Sequence, residues 1–453
     1  MPRKSPLASV AIDVGVKTQS VGVREPDEPF RILVAGNFSG GAGRNRRPMG
    51  IDRDNFDQVM SLLAPEIRVQ VAGGSMAISF RSLDDFHPES LFARLEPFEA
   101  LRGLRQRLSN PATFQKAASQ IAPAAAEKPD PELANLSGAE LLRRMTGEAP
   151  PPRAAAAKVS DWDQMLRQIT APYAVPKEDP RQRELIARTD AAIEGEMRAL
   201  LHRQDFQALE AAWRGLHFLV RRIETGENLK IYLMDLPHDE IVGSGLGDLA
   251  RALQTESWSV IAGLYYFGAE EEETLSRIAA LAEDANAPFL AGLAPEVVGL
   301  DAVFKNLRTT LKARWLGLAL PRFLLRLPYG KETSETESFA FEEMPTPPKH
   351  EWYLWGHPAI ACAYLLAAAF ERAGWQMTPG SVREIEGLPA HVYRVDGEAE
   401  VKPCAEVLLT DDAAEVLLDR GFMPLASVKG TDRVRLVRFQ SIGGTVLGGK
   451  WSS

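Results

Sequence analysis

The chain has 453 residues, of which 45% are hydrophobic and 25% are charged, and its formal net charge is -9. A chain of this length exceeds one ordinary hydrophobic core, so we expect two or three domains. The acidic balance argues against a surface that neutralises phosphates, and we expect no nucleic-acid partner.

The sequence carries the features of a cytoplasmic protein. Its two cysteines, Cys362 and Cys404, suit a reducing compartment and cannot form a disulfide framework. Asp13 and Gly15 interrupt the apolar run near the N-terminus, so no signal peptide is predicted. The longest apolar stretch, Ala359 to Phe370, is well short of the roughly 20 residues that span a bilayer. We therefore predict no membrane insertion.

The first element is an N-terminal arm with the two-residue periodicity of a strand. Its apolar positions are Val10, Ile12, Val14 and Val16. Two interpretations stay open. The arm could be an intersubunit strand that joins the sheet of a neighbouring protein, or it could close a local hairpin.

The next segment, Phe30 to Ala35, is a short apolar run typical of a buried strand, and a glycine-rich loop follows it. That loop lacks the Gly-Lys-Ser/Thr ending of a phosphate-binding loop, so we expect a surface loop rather than a nucleotide site. Downstream, the pattern predicts a helix ending at Leu63, a hairpin around Gly73-Gly74 and a leucine-rich helix after Pro88.

Three blocks in this first region point to a known family. They are FRILVAGNFSG, RPMGIDRDNFDQVMSLLAP and ISFRSLDDFHPESLFARLEPFEALRGLRQRL. In this order they resemble the small subunit, TssB or VipA, of the contractile sheath of bacterial type VI secretion. The resemblance covers nearly the whole region from residue 1 to residue 120.

Residues 121–178 form an Ala/Pro-rich stretch whose composition predicts a tether. Two short amphipathic helices are predicted inside it. The second of them, Asp161 to Ile169, has its apolar residues at helical spacing, namely Trp162, Met165, Leu166 and Ile169. Such a helix either docks on its own domain or is a binding motif for another protein.

The region after the tether alternates helices and strands, which predicts an α/β layer. Helices are expected over 181–202, 206–223 and 274–286, with strands over 229–233, 258–267 and 287–291. An apolar helix should run to Phe370 and stop at Gly374. A smaller α/β unit is predicted from strands over 392–395, 407–409 and 434–439 and a helix over 411–420.

Four charged residues in this region could form a site. Arg322, Arg326, Glu342 and Glu343 allow an acid/base or phosphate site, or else an ion-pair network in the core or at an interface. The ion-pair interpretation is favoured because nothing nearby supplies a nucleophile or metal ligands. No catalytic residue, metal or cofactor is therefore predicted.

The second region also resembles a known family. The blocks FQALEAAWRGLHFLV, LALPRFLLRLPYG, FAFEE, WYLWGHPAIACAYLLAAAF, EGLPAHVYRVDGE and GFMPLASVKGTD follow in order from about Pro180 to Ser441. They are similar to the large sheath subunit, TssC or VipB, of the same system. The chain therefore resembles a fusion of the two subunits. The expected organisation is a small-subunit module (1–120), the tether (121–178), a large-subunit core (179–380) and its smaller C-terminal part (381–453).

The resemblance implies a mixed α/β fold of layered sheets with flanking helices, in which the two modules pack together. It implies a structural protomer, not an enzyme, that assembles around an inner tube and contributes to contraction-driven secretion. Other sheath subunits, the inner tube protein and the baseplate are the implied partners. A ClpV-type AAA+ unfoldase is also implied, with the Trp162 helix in the place where the family carries its recognition helix.

Two alternatives accompany this interpretation. The chain stops at Ser453, soon after the GFMPL block, where the large subunit normally continues. An accessory or terminating subunit that caps the polymer is thus one alternative. The remote alternative is a phosphate-handling enzyme that uses the Arg322 and Arg326 group.

Overall fold

The computed structural model describes residues 28–41, 46–71, 74–121, 179–300 and 303–452. The predicted arm (Val10, Ile12, Val14 and Val16) and the predicted tether helix (Trp162, Met165, Leu166 and Ile169) lie outside these residues. The described residues form two compact units. One combines residues up to Ser90 with Leu200–Thr336 and residues from Phe341 onward, and the other combines Leu91–Ala199 with Glu337–Ala340.

The strands occur on both sides of the tether. They are β1 Phe30–Gly36, β2 Met49–Ile51, β3 Glu66–Val71, β4 Gly74–Ser79, β5 Leu229–Asp235, β6 Val260–Phe267, β7 Phe289–Leu293, β8 Leu316–Leu320, β9 Phe323–Leu324, β10 Trp355–Gly356, β11 Glu384–Ile385, β12 Val392–Val395, β13 Glu398–Val401, β14 Met423–Ser427 and β15 Val434–Leu436. Strands β3 and β4 pair as the predicted antiparallel hairpin.

The α-helices of the described residues are α1 Phe56–Leu63, α2 Pro88–Arg94, α3 Glu96–Ser109, α4 Pro111–Ile121, α5 Pro180–Leu201, α6 Gln204–Arg222, α7 His238–Val242, α8 Leu246–Leu253, α9 Glu272–Asp284, α10 Lys305–Arg308, α11 Pro358–Ala373 and α12 Asp411–Asp419. The helices predicted over 181–202, 206–223, 274–286 and 411–420 are confirmed to within about two residues. The mixed α/β fold class is likewise confirmed.

A nine-stranded sheet organises the first unit, in the order β11-β15-β14-β8-β7-β6-β1-β5-β2. The run from β14 to β5 is parallel, while β2, β15 and β11 pair antiparallel to their neighbours. Consecutive parallel strands linked by helices are the signature of an α/β layer.

Strand β1 lies inside this sheet although it precedes the tether. Its residues pair with β5 in the register Phe30↔Leu229 and with β6 in the register Ile32↔Val260. Central parallel strands are covered on both faces, so their sequences are continuously apolar rather than alternating. The FRILVA run meets that requirement, because every residue from Ile32 to Ala35 is fully buried.

Helices cover both faces of the sheet. One face packs against α7, α8 and α9 in a core that includes Leu33, Trp258 and Ile278. Helices α6 and α11 cover the other face, where α11 contacts β1, β6, β7 and β8. These covering helices all follow residue 178, whereas strands β1 and β2 of the sheet precede residue 121.

Three of the C-terminal strands, β11, β14 and β15, belong to the same sheet. Strand β14 pairs with β8 and β15 pairs with β14, whereas β12 and β13 pair with each other as a separate two-stranded sheet. The predicted strand over 407–409 was wrong: Val407 and Leu408 are exposed loop residues. Apolar character alone suggested a strand, but no neighbouring strand pairs there.

The second unit is helical. Leu108 of α3 and Phe114 of α4 pack in a small apolar core with Leu185 of α5. Arg105 of α3 pairs with Asp190 of α5 at 2.5 Å. The apolar residues of the predicted leucine-rich helix, which here includes α3, are therefore buried against α4 and α5 in this unit.

Both ends of helix α11 are determined locally. His357 is its N-cap: Nδ1 accepts a hydrogen bond from the Ala359 amide (3.2 Å) and Nε2 donates to the Tyr265 carbonyl (3.0 Å). Pro358 occupies the first helical position, where its missing N–H costs nothing. Gly374 ends the helix as predicted, with a positive φ of 55°.

Candidate functional site

Two fully buried carboxylates of the described residues belong to a charge network around Arg326. Its guanidinium lies between two fully buried carboxylates, with Nε 2.9 Å from Glu210 and Nη1 2.7 Å from Glu343. Glu210 belongs to α6 and also pairs with Arg214 one turn later, at 2.7 Å. Tyr329 completes the network, because its amide donates to Glu343 at 2.7 Å. Each charge therefore has several hydrogen-bond partners.

Burial and charge act in opposite directions on these carboxylates. Burial by itself raises the pKa of Glu343, but the Arg326 charge and hydrogen bonds from His202, Arg326 and the Tyr329 amide outweigh it, so the pKa falls to about 2. The pKa of Glu210 is likewise lowered, because Arg326 and Arg214 overcome its burial. Both carboxylates are therefore ionised at neutral pH.

The loop that carries this network also meets the region before the tether. His87 Nε2 lies 3.1 Å from Ser334 Oγ, and the His87 ring packs edge-on against Tyr329 at 4.9 Å between centroids. His87 also accepts from the Glu89 amide at 3.1 Å. The DDFHPE motif thus ends in a histidine that packs against the network's loop.

The structure separates the four predicted charged residues. Arg326 and Glu343 lie in the buried network, whereas Arg322 forms a two-bond pair with Glu406, one bond of 2.8 Å. Glu342 is exposed and accepts from the Lys331 amide at 3.0 Å. Arg322, Arg326 and Glu343 form ion pairs, but the four residues do not form one group.

Sequence reasoning missed the partners Glu210 and Glu406. Glu210 lies on the helix predicted as an apolar core stripe, 116 residues before Arg326. One local signal was available, since Glu210 and Arg214 stand at the i, i+4 spacing of a helical ion pair. Nothing in the spacing of Glu406 indicates Arg322.

The glycine-rich loop after β1 uses its amides internally. The Phe38 and Ser39 amides donate to one carboxylate oxygen of buried Asp235, at 2.9 and 3.1 Å. Trp213 Nε1 donates to the Phe38 carbonyl at 2.9 Å. Amides at this place in an α/β sheet commonly bind phosphate.

A crevice of about 420 Å³ opens at the carboxyl ends of β1 and β6, where the strand order reverses. Open α/β sheets bind small ligands at such points. Its polar lining includes Asn37, Gln204, Asp205, Gln207, Arg322 and His357. Arg322 is paired and His357 caps α11, so these groups already have structural partners.

The described residues offer neither a metal cluster nor a membrane-spanning helix. Among the described residues, no cluster of three or more His, Cys, Asp or Glu side chains is placed to hold a metal ion. No helix within the described ranges combines the length and apolar character needed to cross a membrane.

Sequence comparison matches two family models to separate regions. The model of the VipA protein of the type VI secretion system matches residues 4–121. The VipB model, a tail sheath N-terminal domain, matches residues 183–257 and 301–443. The two matches lie on opposite sides of the tether.

One characterised relative and two solved structures are similar to parts of this chain. The type VI secretion system sheath protein TssC1 of Pseudomonas aeruginosa is 31% identical over 301 residues, 57% of this chain and 60% of that protein. The chain thus spans about 60% of the relative's length. The baseplate of the anti-feeding prophage matches at a TM-score of 0.31 and 14% identity, over 53% of this chain and 54% of that one. The contracted helical sheath of the anti-feeding prophage matches at a TM-score of 0.28 and 15% identity. That match covers 49% of this chain and 50% of the sheath chain.

Proposed function

The chain belongs to the type VI secretion sheath family, with a VipA-like and a VipB-like region in one polypeptide, and on that premise we propose that it is a fused protomer of a contractile sheath. Such a protomer is a structural protein that works in the cytoplasm by assembly rather than catalysis. Contraction of a metastable polymer would supply the mechanical work.

One observation carries this proposal: the two regions share a single sheet. Strand β1 of the VipA-like region lies between β5 and β6 of the VipB-like region and is hydrogen-bonded to both. Its apolar side chains are fully buried there. The VipB-like region by itself would therefore lack a central strand. The tether keeps the two regions in a one-to-one ratio and raises their effective concentration for pairing.

Cleavage of the tether tests this part of the proposal. A protease site placed within residues 122–178 of the full chain would be cut, and the product analysed by size-exclusion chromatography. The two fragments should elute together, because separating them would expose the buried strand and break two ladders of hydrogen bonds. Separation of the folded fragments in dilute buffer would contradict the shared-sheet argument.

Electron microscopy tests the assembly itself. The purified chain, alone and mixed with standard small and large sheath subunits, should form or join tubular polymers. An accessory or terminating subunit would instead shorten tubes of the standard subunits and form none alone. No contact among the described residues favours that alternative. Failure to associate with itself or with either standard subunit would refute the sheath proposal.

The inner tube, the baseplate and a ClpV-type unfoldase are proposed as further partners by family membership. Residues 161–169 stay the predicted unfoldase segment. A Trp162→Ala, Leu166→Ala double variant should lose binding to the unfoldase in a pull-down. Binding at the wild-type level would assign recognition to another segment. The N-terminal arm stays the proposed intersubunit strand, tested by deleting residues 8–16 and measuring polymerisation.

A further inference from the structure

An apolar cavity of about 420 Å³ opens at the carboxyl ends of β6, β7 and β8. Its lining includes Tyr266, Leu293, Leu320, Leu409 and Leu417. Exposed apolar side chains stand beside it, since Val407 is 50% exposed and Leu408 is 60% exposed. We call this feature the β8 pocket. An open apolar cavity flanked by exposed aliphatic residues is typical of a protein-binding surface.

A protruding apolar group lies at the other end of β8. Leu311 is 88% exposed and Val446 is 71% exposed; among the aliphatic residues that the structure describes, only Leu62 matches these values, at 73%. Gly448, two residues after Val446, lies next to Arg314, three residues after Leu311, because the Gly448 amide donates to the Arg314 carbonyl at 2.6 Å. We call Leu311 and Val446 the knob. Leu311 begins the short 3-10 helix Leu311–Trp315, which leads directly into the amino end of β8.

The knob and the pocket are too far apart to meet within one chain. The five residues of β8 separate them and span roughly 16 Å. A knob that fills a β8 pocket must therefore come from a second copy.

The chain segments that carry the two surfaces have opposite charge, while Arg322 lines the pocket and Arg420 donates to the carbonyl of the lining residue Val298 at 2.6 Å. Residues 303–316, which carry Leu311, include four basic side chains and no acidic one: Lys305, Arg308, Lys312 and Arg314. Residues 405–415, which border the pocket, include four acidic side chains and no basic one: Glu406, Asp411, Asp412 and Glu415. Glu406 is neutralised by Arg322, but Asp411 and Asp412 are exposed. Opposite charges around an apolar contact steer association and fix its orientation.

We infer that the knob of one copy inserts into the β8 pocket of the next copy, in a head-to-tail contact. Two different surfaces on one chain form a heterologous interface, which generates a ring or an open helical filament rather than a closed dimer. The inference deepens the proposed sheath function, on which it rests for its polymeric setting. It assigns one of the contacts along the polymer to the two ends of β8.

Cross-linking between two variants tests the contact. Full-length Leu311→Cys and Leu408→Cys proteins would be mixed and treated with a short bismaleimide. The native Cys362 and Cys404 are fully buried, so the background should be low. The matched control is Leu62→Cys mixed with Leu408→Cys, because Leu62 is 73% exposed but lies on α1. We expect a heterodimer yield at least tenfold above the control.

Charge reversal supplies a second readout that does not depend on the cysteines' geometry. The Lys312→Glu, Arg314→Glu variant and the Asp411→Lys, Asp412→Lys variant should each associate at least tenfold more weakly by sedimentation. Combining all four changes in one chain should restore association. A combined variant as weak as the two separate variants would overturn the complementarity.

The outcomes separate the inference from the proposed function. Tubes whose Leu311–Leu408 yield equals the Leu62 control would overturn the inference and leave the sheath function in place. The specific cross-link without tubes, with or without standard subunits, would support the inference and count against the sheath function. A chain that stays monomeric under every condition would overturn both.

Discussion

Replacing Arg326 by methionine should be among the most damaging single changes in the protein. Methionine keeps the unbranched stem but removes the guanidinium, which is only 10% exposed and lies between the fully buried Glu210 and Glu343. Glu210 keeps Arg214 as a partner, whereas Glu343 loses its only arginine. An uncompensated buried carboxylate then remains in the core.

The expected loss follows from the cost of breaking a buried ion pair, about 3 to 5 kcal/mol. We expect about 4 kcal/mol, measured as the change in free energy of unfolding by guanidinium denaturation. Tryptophan fluorescence reports on this region, because Trp352 stacks on His202 at 4.2 Å and Trp213 lies on α6. Adding Glu343→Gln to the Arg326→Met variant should recover part of the loss, since it removes the unpaired charge.

Arg188→Met is the matched control. Arg188 pairs with Glu184 at 2.6 Å, but both side chains are more than half exposed. Exposed pairs contribute less than about 1 kcal/mol. If Arg326→Met and Arg188→Met cost the same, the buried network would not stabilise the fold and the reasoning would fail.

Three further predictions concern the stability of the fold. The folded-state pKa of Glu343 is about 2 against an ordinary value of 4.5, so its contribution to stability is present above pH 4.5 and is lost as the pH falls toward 2. In the Glu343→Gln variant, the free energy of unfolding should therefore depend less on pH between 4.5 and 2. Burial lowers the pKa of His357 from 6.5 to about 3, so the free energy of unfolding falls as the pH drops below 6.5. Asparagine can still cap the helix but does not titrate. His357→Asn should therefore shrink the difference in unfolding free energy between pH 7 and pH 5 by about 2 kcal/mol. Gly421 and Gly430 both have positive φ, 81° and 70°, but only at Gly421 would a Cβ collide with the Ile442 carbonyl oxygen. Thermal or chemical denaturation should show a loss of about 1 kcal/mol for Gly430→Ala and at least twice that for Gly421→Ala.

Much of the local structure could be predicted. Helices α5, α6, α9 and α12 lie where the 3.6-residue apolar period and the acidic first turns predicted them. Strand β1 was predicted as buried because its run of apolar residues has no alternation. These signals depend on neighbours within one or two turns, so they are present in the sequence itself. The failure over 407–409 shows their limit, because a strand also needs a partner strand.

The candidate site was only half predictable. Arg326 and Glu343 were expected to form ion pairs, but Arg326 also pairs with Glu210 and Arg322 pairs with Glu406, across 116 and 84 residues. Nothing in the sequence indicated that Asp235 accepts hydrogen bonds from the loop after β1, since it lies 197 residues from Phe38. Such partners are chosen by the order of strands in the sheet.

The sequence by itself determined the family and the type of most elements, because motifs, composition and periodicity are local properties. Only the tertiary structure decided that β1 lies between β5 and β6 and that both regions share one core. Backbone pairing and burial of both faces select that position, and they act between residues about 200 apart in the chain. The same long-range packing places the knob and the pocket at opposite ends of β8.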